Sequence, residues 1–70
     1  MNLRERVGLN LQDLRRASGL SQEALALAAQ LDRGYVGSIE NRRYSISVDK
    51  IEKLAAALNV DPAELFRRRD

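Results

Sequence analysis

The 70-residue chain has no cysteine, no histidine and only one proline. Without cysteine no disulfide can form, and without cysteine or histidine the usual zinc-ligand sets are excluded. Neither a Ser-His-Asp arrangement nor a thiol nucleophile can be assembled. The ten carboxylates fall mostly at helix caps and on helix surfaces. No catalysis, metal or cofactor is therefore expected. Long apolar runs are missing too: no stretch could span a bilayer, and the opening Met-Asn-Leu-Arg-Glu-Arg lacks the apolar run of a signal peptide. A cytoplasmic location without a membrane partner is expected. With no low-complexity tract, internal repeat or Pro/Gly linker, residues 1–70 read as one domain.

A domain of this size has little room for both a core and an enclosed cleft, so its function is expected on its surface and no small-molecule ligand is indicated. Lacking disulfides and metal, it must draw its stability from helix packing and self-association. The formal net charge of +2 is too slight to imply nucleic acid by itself. Ten of the twelve basic residues are Arg, whose planar fork suits phosphate and guanine edges. A preference for Arg codons would give the same bias.

Helical periodicity runs through the whole chain. Leu3, Val7, Leu11 and Leu14 recur at spacings of four, four and three, which predicts an amphipathic helix from Leu3 to Ser18 with Asn2 as N-cap and Gly19 as a left-handed stop. Ser21 caps a short second helix over 22–29, with Leu25, Ala28 and Ala29 on its buried side. Asp32 is expected to cap a third helix over 33–41, with Val36 and Ile39 inward. Residues 42–47 read as a loop ending in an N-cap at Ser47. A fourth helix then carries Ile51, Leu54, Ala55 and Leu58 at i, i+3, i+4 and i+7 and stops at Asn59. Asp61-Pro62-Ala63-Glu64 has the form of a capping box opening a fifth helix over about 62–67. Five helices with no strand signal predict an all-α domain.

Once Val36 and Ile39 are set inward, Gly34, Gly37, Ser38 and Asn41 face away from the core, with Arg33, Tyr35 and Arg42 on the shoulders. Two glycines on one outward side are unusual, since each costs a helix about 0.5 to 1 kcal/mol relative to Ala. Close approach of the helix to a DNA groove would explain them. Gln22, Arg33, Asn41, Arg42 and Arg43 place amide and basic donors at both edges of that slim side, as the two phosphate walls of a major groove require. The same residues would also serve as an ordinary solvated rim, with Gly34 and Gly37 loosening a helix end.

Four blocks of residues carry a family resemblance. They are Val7-Gly8-x-x-Leu11-x-x-Leu14-Arg15; Gly19-Leu20-Ser21-Gln22-Glu23-x-Leu25-Ala26; Asp32-Arg33-x-Tyr35-Val36-x-x-Ile39-Glu40; and Ile51-x-x-Leu54-Ala55-x-Ala57-Leu58-x-Val60 with Glu64-Leu65-Phe66. In this order and spacing they resemble the lambda-repressor/Cro-like helix-turn-helix family, the xenobiotic-response-element type, with the helix-turn-helix at about 21–41. Leu31-Asp32-Arg33-Gly34-Tyr35-Val36 and Ile46-Ser47 are most similar to restriction-modification controller proteins. The resemblance implies a compact five-helix fold and a homodimeric transcriptional regulator that sets its third helix in the major groove of a (pseudo)palindromic double-stranded operator. It implies an ion pair between Arg15 and Glu40 and a phosphate contact at Gln22. Arg33, Gly34, Tyr35, Gly37 and Ser38 become the groove-facing set, and Ser21, Gln22, Asn41, Arg42, Arg43 and Tyr44 the phosphate set. Leu65 and Phe66, at the end of the chain, are expected to form the dimer seam.

The chain departs from the family pattern at three places. Gln30 stands where the turn often has Gly, so a left-handed backbone there costs more. Gly34 occupies a position that often reads a base, and Arg42 replaces a frequent Gly after the third helix. Two other classes remain: a protein-interaction module such as an antitoxin, and RNA binding through Gly34-Tyr-Val-Gly37, for which the strands of a KH-type fold are missing.

Overall fold

The computed structural model describes residues 1–42 and 45–69; the phosphate contacts expected of Arg43 and Tyr44 lie outside the described residues. Four α-helices and one 3-10 helix follow one another, and no strand occurs among the described residues. Helix α1 covers Leu3–Ala17. Asn2 Oδ1 accepts the Glu5 amide at 2.8 Å and the Glu5 carboxylate accepts the Asn2 amide at 3.2 Å, so a reciprocal capping box opens the helix. Its end is fixed by backbone geometry. Gly19 takes φ +73°, and the amides of Gly19 and Leu20 return to the carbonyls of Arg16 and Arg15, satisfying acceptors that the helix leaves open.

Helix α2, Gln22–Ala28, starts under the Ser21 hydroxyl, which accepts the Ala24 amide at 3.0 Å. It stops by the same device, but with Gln30 at φ +58° as the left-handed residue and Leu31 bonded back to Ala26. Helix α3 is shorter than its pattern suggested. It covers only Tyr35–Glu40, and its N-cap is Gly34 without a side-chain bond. Asp32 contributes its carbonyl, not its carboxylate, to the Tyr35 amide, so it is not the expected cap. Arg33 and Gly34 accordingly precede the helix. Helix α4, Val48–Leu58, begins at Ser47, whose hydroxyl accepts the Lys50 amide, and stops at Asn59 with φ +57°.

The expected fifth α-helix is a 3-10 helix, η1, over Pro62–Phe66. Asp61 accepts the Ala63 amide, as its position suggested, but Glu64 pairs forward with Arg67 at 3.1 Å instead of closing a capping box. Five residues between a proline start and an extended Arg67 leave no length for i to i−4 bonding to propagate.

Leu11, Leu25, Val36, Leu54 and Leu65 are fully buried and bring all five elements to one core. Each such side chain contributes roughly 1.5 to 3 kcal/mol on removal from water. Ala26 and Ala29 are buried, whereas Ala28, expected inside, is exposed, and Leu3 at the head of the α1 stripe is 55% exposed. At Gly8 a Cβ would lie 2.7 Å from the Ile39 carbonyl oxygen, so glycine lets the backbones of α1 and α3 approach closely. Among the described residues no helix is long and apolar enough to cross a membrane, and no acidic cluster could hold a metal ion.

Candidate nucleic-acid interface

The turn after α2 sets the position of everything downstream. Once Gln30 reverses the chain, residues 31–34 carry it to α3, whose Val36 and Ile39 are held in the core at 0% and 2% exposure. Fixing these two residues fixes the outward side. Arg33, Gly34, Asn41 and Arg42 are exposed, as is Gln22 at the start of α2. Ser38 is half-buried and its hydroxyl donates to the Gly34 carbonyl at 3.1 Å. Tyr35 is only partly outward. Its ring packs against the core with the Lys50 ammonium 4.7 Å above it, and burial pushes its hydroxyl above the ordinary tyrosine range. Arg42 carries φ +62° and gives a guanidinium N–H to the Glu40 carbonyl.

Arg33 is paired with Glu23, Nε to Oε2 at 2.9 Å, with the two side chains 81% and 63% exposed. So open a pair is worth little, and an arriving anion can take the guanidinium.

Glu40 is the one acidic residue of α3, and it is 4% exposed. Its carboxylate receives two bonds from the Arg15 guanidinium, at 2.6 Å and 3.1 Å, one from Gln22 Nε2 at 3.0 Å and a longer one from Gln12. Burial pushes the carboxyl up, but the bonds from Arg15 and Gln22, the Arg15 charge and the Gln12 bond together outweigh it and hold Glu40 below its ordinary value. Arg15 is held above its own ordinary value, first by the bond to Glu40 and against the cost of burial. Gln22, expected at a phosphate, therefore spends one amide N–H on Glu40. Gly37 makes room for it, because a Cβ there would lie 3.0 Å from Gln22 Oε1.

The C-terminal expectation needs correction. Leu65 is 0% exposed within the single chain, so it is core and cannot form a seam. Phe66 remains 39% exposed and lines an open groove of about 470 Å³ that Leu3, Val7, Ile39 and Ile46 make mainly apolar and to which Asn2, Arg4 and Ser45 add polar groups. The buried Asn10 amide donates to the carbonyls of Leu65 and Arg67 and accepts from Arg69, which also pairs with Asp13. This anchoring of the chain end was not anticipated. The signal was there, since Asn10 sits one residue before Leu11 on the inward stripe of α1.

Two short helices joined by a tight turn, the second anchored by its inner face with its acid turned inward, make this a helix-turn-helix protein. The helix-turn-helix family model matches residues 11–65, and the chain belongs to that family. It is 42% identical over 65 residues to a hypothetical transcription factor of Neisseria meningitidis serogroup B, covering 93% of this chain but only 61% of that protein. It is 39% identical over 66 residues to Control protein C.MunI of a Mycoplasma species, covering 93% of this chain and 89% of that one. The crystal structure of the restriction-modification controller protein C.AhdI from Aeromonas hydrophila matches with a TM-score of 0.87 and 48% identity, over 90% of this chain and 96% of that one. The likeness to controller proteins expected from residues 31–36 and 46–47 is thus found in both sequence and structure.

Proposed function

We propose that the protein is a sequence-specific regulator of transcription, acting in the cytoplasm as a homodimer with α3 in the major groove of a (pseudo)palindromic operator. It acts by binding, without catalysis. One observation carries this. The only acid of α3 is drawn inward and neutralised by Arg15, so the helix presents to a polyanion a side that carries no negative charge. Arg33, Gly34 and Ser38 are then the groove-facing residues, with Tyr35 contributing from its shoulder. Ser21, Gln22, Asn41 and Arg42 stand at the groove walls, where contacts set register and not sequence.

One six-residue helix reads only a few base pairs, and a dimer with half-sites about 10 base pairs apart supplies the rest. Leu3, Leu27, Val48 and Phe66 are all exposed, and of these Leu3 and Phe66 share one groove with Ile46, which makes that groove the dimer contact in this reading. Titration of a duplex at rising salt tests the binding. With six to ten phosphates neutralised, affinity should fall on the order of 10³- to 10⁵-fold between 50 and 200 mM salt. A salt-independent or absent affinity would exclude DNA as the ligand.

A further inference from the structure

Gly34 and Gly37, the two glycines on the outward side, differ in their surroundings. A Cβ added at Gly34 would meet nothing within 4 Å. At Gly37 the three nearest atoms all belong to the Gln22 amide, at 3.0, 3.5 and 3.7 Å. Glycine weakens a helix interior, so its presence in the middle of α3 needs a cause, and the amide lying across it supplies one. That amide is held at its far end, with Nε2 donating to Glu40 Oε1 at 3.0 Å. Glu40 is itself fixed by the two bonds from Arg15, so the Gln22 side chain rests against a rigid anchor. Among the described residues no other hydrogen bond holds this amide, which leaves its second N–H uncommitted on a residue that is exposed overall.

We propose that Gly37 is a positioning residue: its missing side chain seats the Gln22 amide on Glu40 and so preorganises it as a donor to the DNA backbone. The proposal rests on the DNA reading above. A donor held in one orientation loses less freedom on binding than a mobile glutamine. An alanine methyl at residue 37 would push the amide off its seat by a few tenths of an ångström or into another rotamer. Clearance for the groove itself, the other use of a small residue here, makes a different prediction, because it does not depend on Gln22.

The test compares the wild type, Gly37→Ala, Gln22→Ala and the double variant on two duplexes, one enriched from random sequence by the wild type and one unrelated of equal length. Gly37→Ala should bind both duplexes more weakly by the same factor, roughly three- to tenfold for one backbone contact, with no loss of thermal stability. The double variant should bind no more weakly than Gln22→Ala alone. If the two losses instead multiply, or if Gly37→Ala binds like the wild type, Gly37 does not act through Gln22. If the wild type enriches no duplex from the random pool and binds none measurably, the DNA reading falls and this inference with it.

Discussion

Arg15 and Glu40 meet in a two-pronged pair, Nε to Oε2 at 2.6 Å and Nη2 to Oε1 at 3.1 Å, with side chains only 11% and 2% exposed. The pair ties α1 to α3 and removes a negative charge from the face proposed for DNA. It is better regarded as a specificity device than as a large source of stability, because taking both charges out of water offsets most of their attraction.

Removing one member is another matter. Glu40→Ala leaves the Arg15 guanidinium buried without its counter-charge and should cost about 3 to 5 kcal/mol in urea denaturation. A double change of Arg15 and Glu40 to Met and Leu should restore most of that loss. Equal stability of Glu40→Ala and the wild type would show that the pair is solvated in solution.

The same carboxylate sets an acid limit. Its pKa in the folded state lies below the ordinary value of 4.5, so the folded state binds its proton later than the unfolded chain does. The stability it contributes is present above that ordinary value and is lost as pH falls through 4.5 and on through the lower folded pKa. Denaturation midpoints measured between pH 7 and pH 3 should therefore drop on the acid side, and Glu40→Gln should flatten that part of the profile.

Two left-handed residues make a paired prediction. Gly19 at φ +73° and Gln30 at φ +58° hold matching positions after α1 and α2. Gly19→Ala should destabilise by about 1 kcal/mol, because a Cβ is disfavoured there, whereas Gln30→Gly should be neutral or stabilise by up to about 1 kcal/mol. Thermal melts of the two variants check the opposite signs.

The neighbours Leu65 and Phe66 should separate folding from association. Leu65→Ser puts a hydroxyl and a cavity into the core and should cost about 3 kcal/mol or more. Phe66→Ser combined with Leu3→Ser, at 39% and 55% exposure, should leave a folded protein that sediments as a monomer. An unchanged dimer would place the seam elsewhere.

Much of this architecture was legible in the sequence, wherever a side chain itself does the work. Asn2, Ser21, Ser47 and Asp61 each accept the amide their positions suggested, and α1 and α4, with the strongest periodicity, begin where expected. Reading failed where backbone geometry or a distant partner decides. Asp32 looks like a cap, yet the chain enters α3 through its carbonyl. Pro62 and Glu64 look like an α-helix start, yet the backbone turns extended at Arg67 after a single 3-10 segment. Gly37 suggested clearance for a groove, while its neighbour in space is Gln22, 15 positions earlier. Leu65 and Phe66 are adjacent in sequence but opposite in burial, which only the turn of η1 determines. Of the interface, the exposed Arg33, Gly34, Asn41 and Arg42 were visible as a pattern; the Glu23 contact to Arg33 and the Asn10 anchor of the chain end depend on tertiary placement.

Selection of binding sites from a pool of random duplexes tests the central claim most directly, since it examines DNA binding, symmetry and half-site spacing together. The expected product is an inverted repeat whose half-sites are centred about 10 base pairs, or a multiple of that, apart. Enrichment of no sequence, or of a single asymmetric element bound by one protomer, would contradict it.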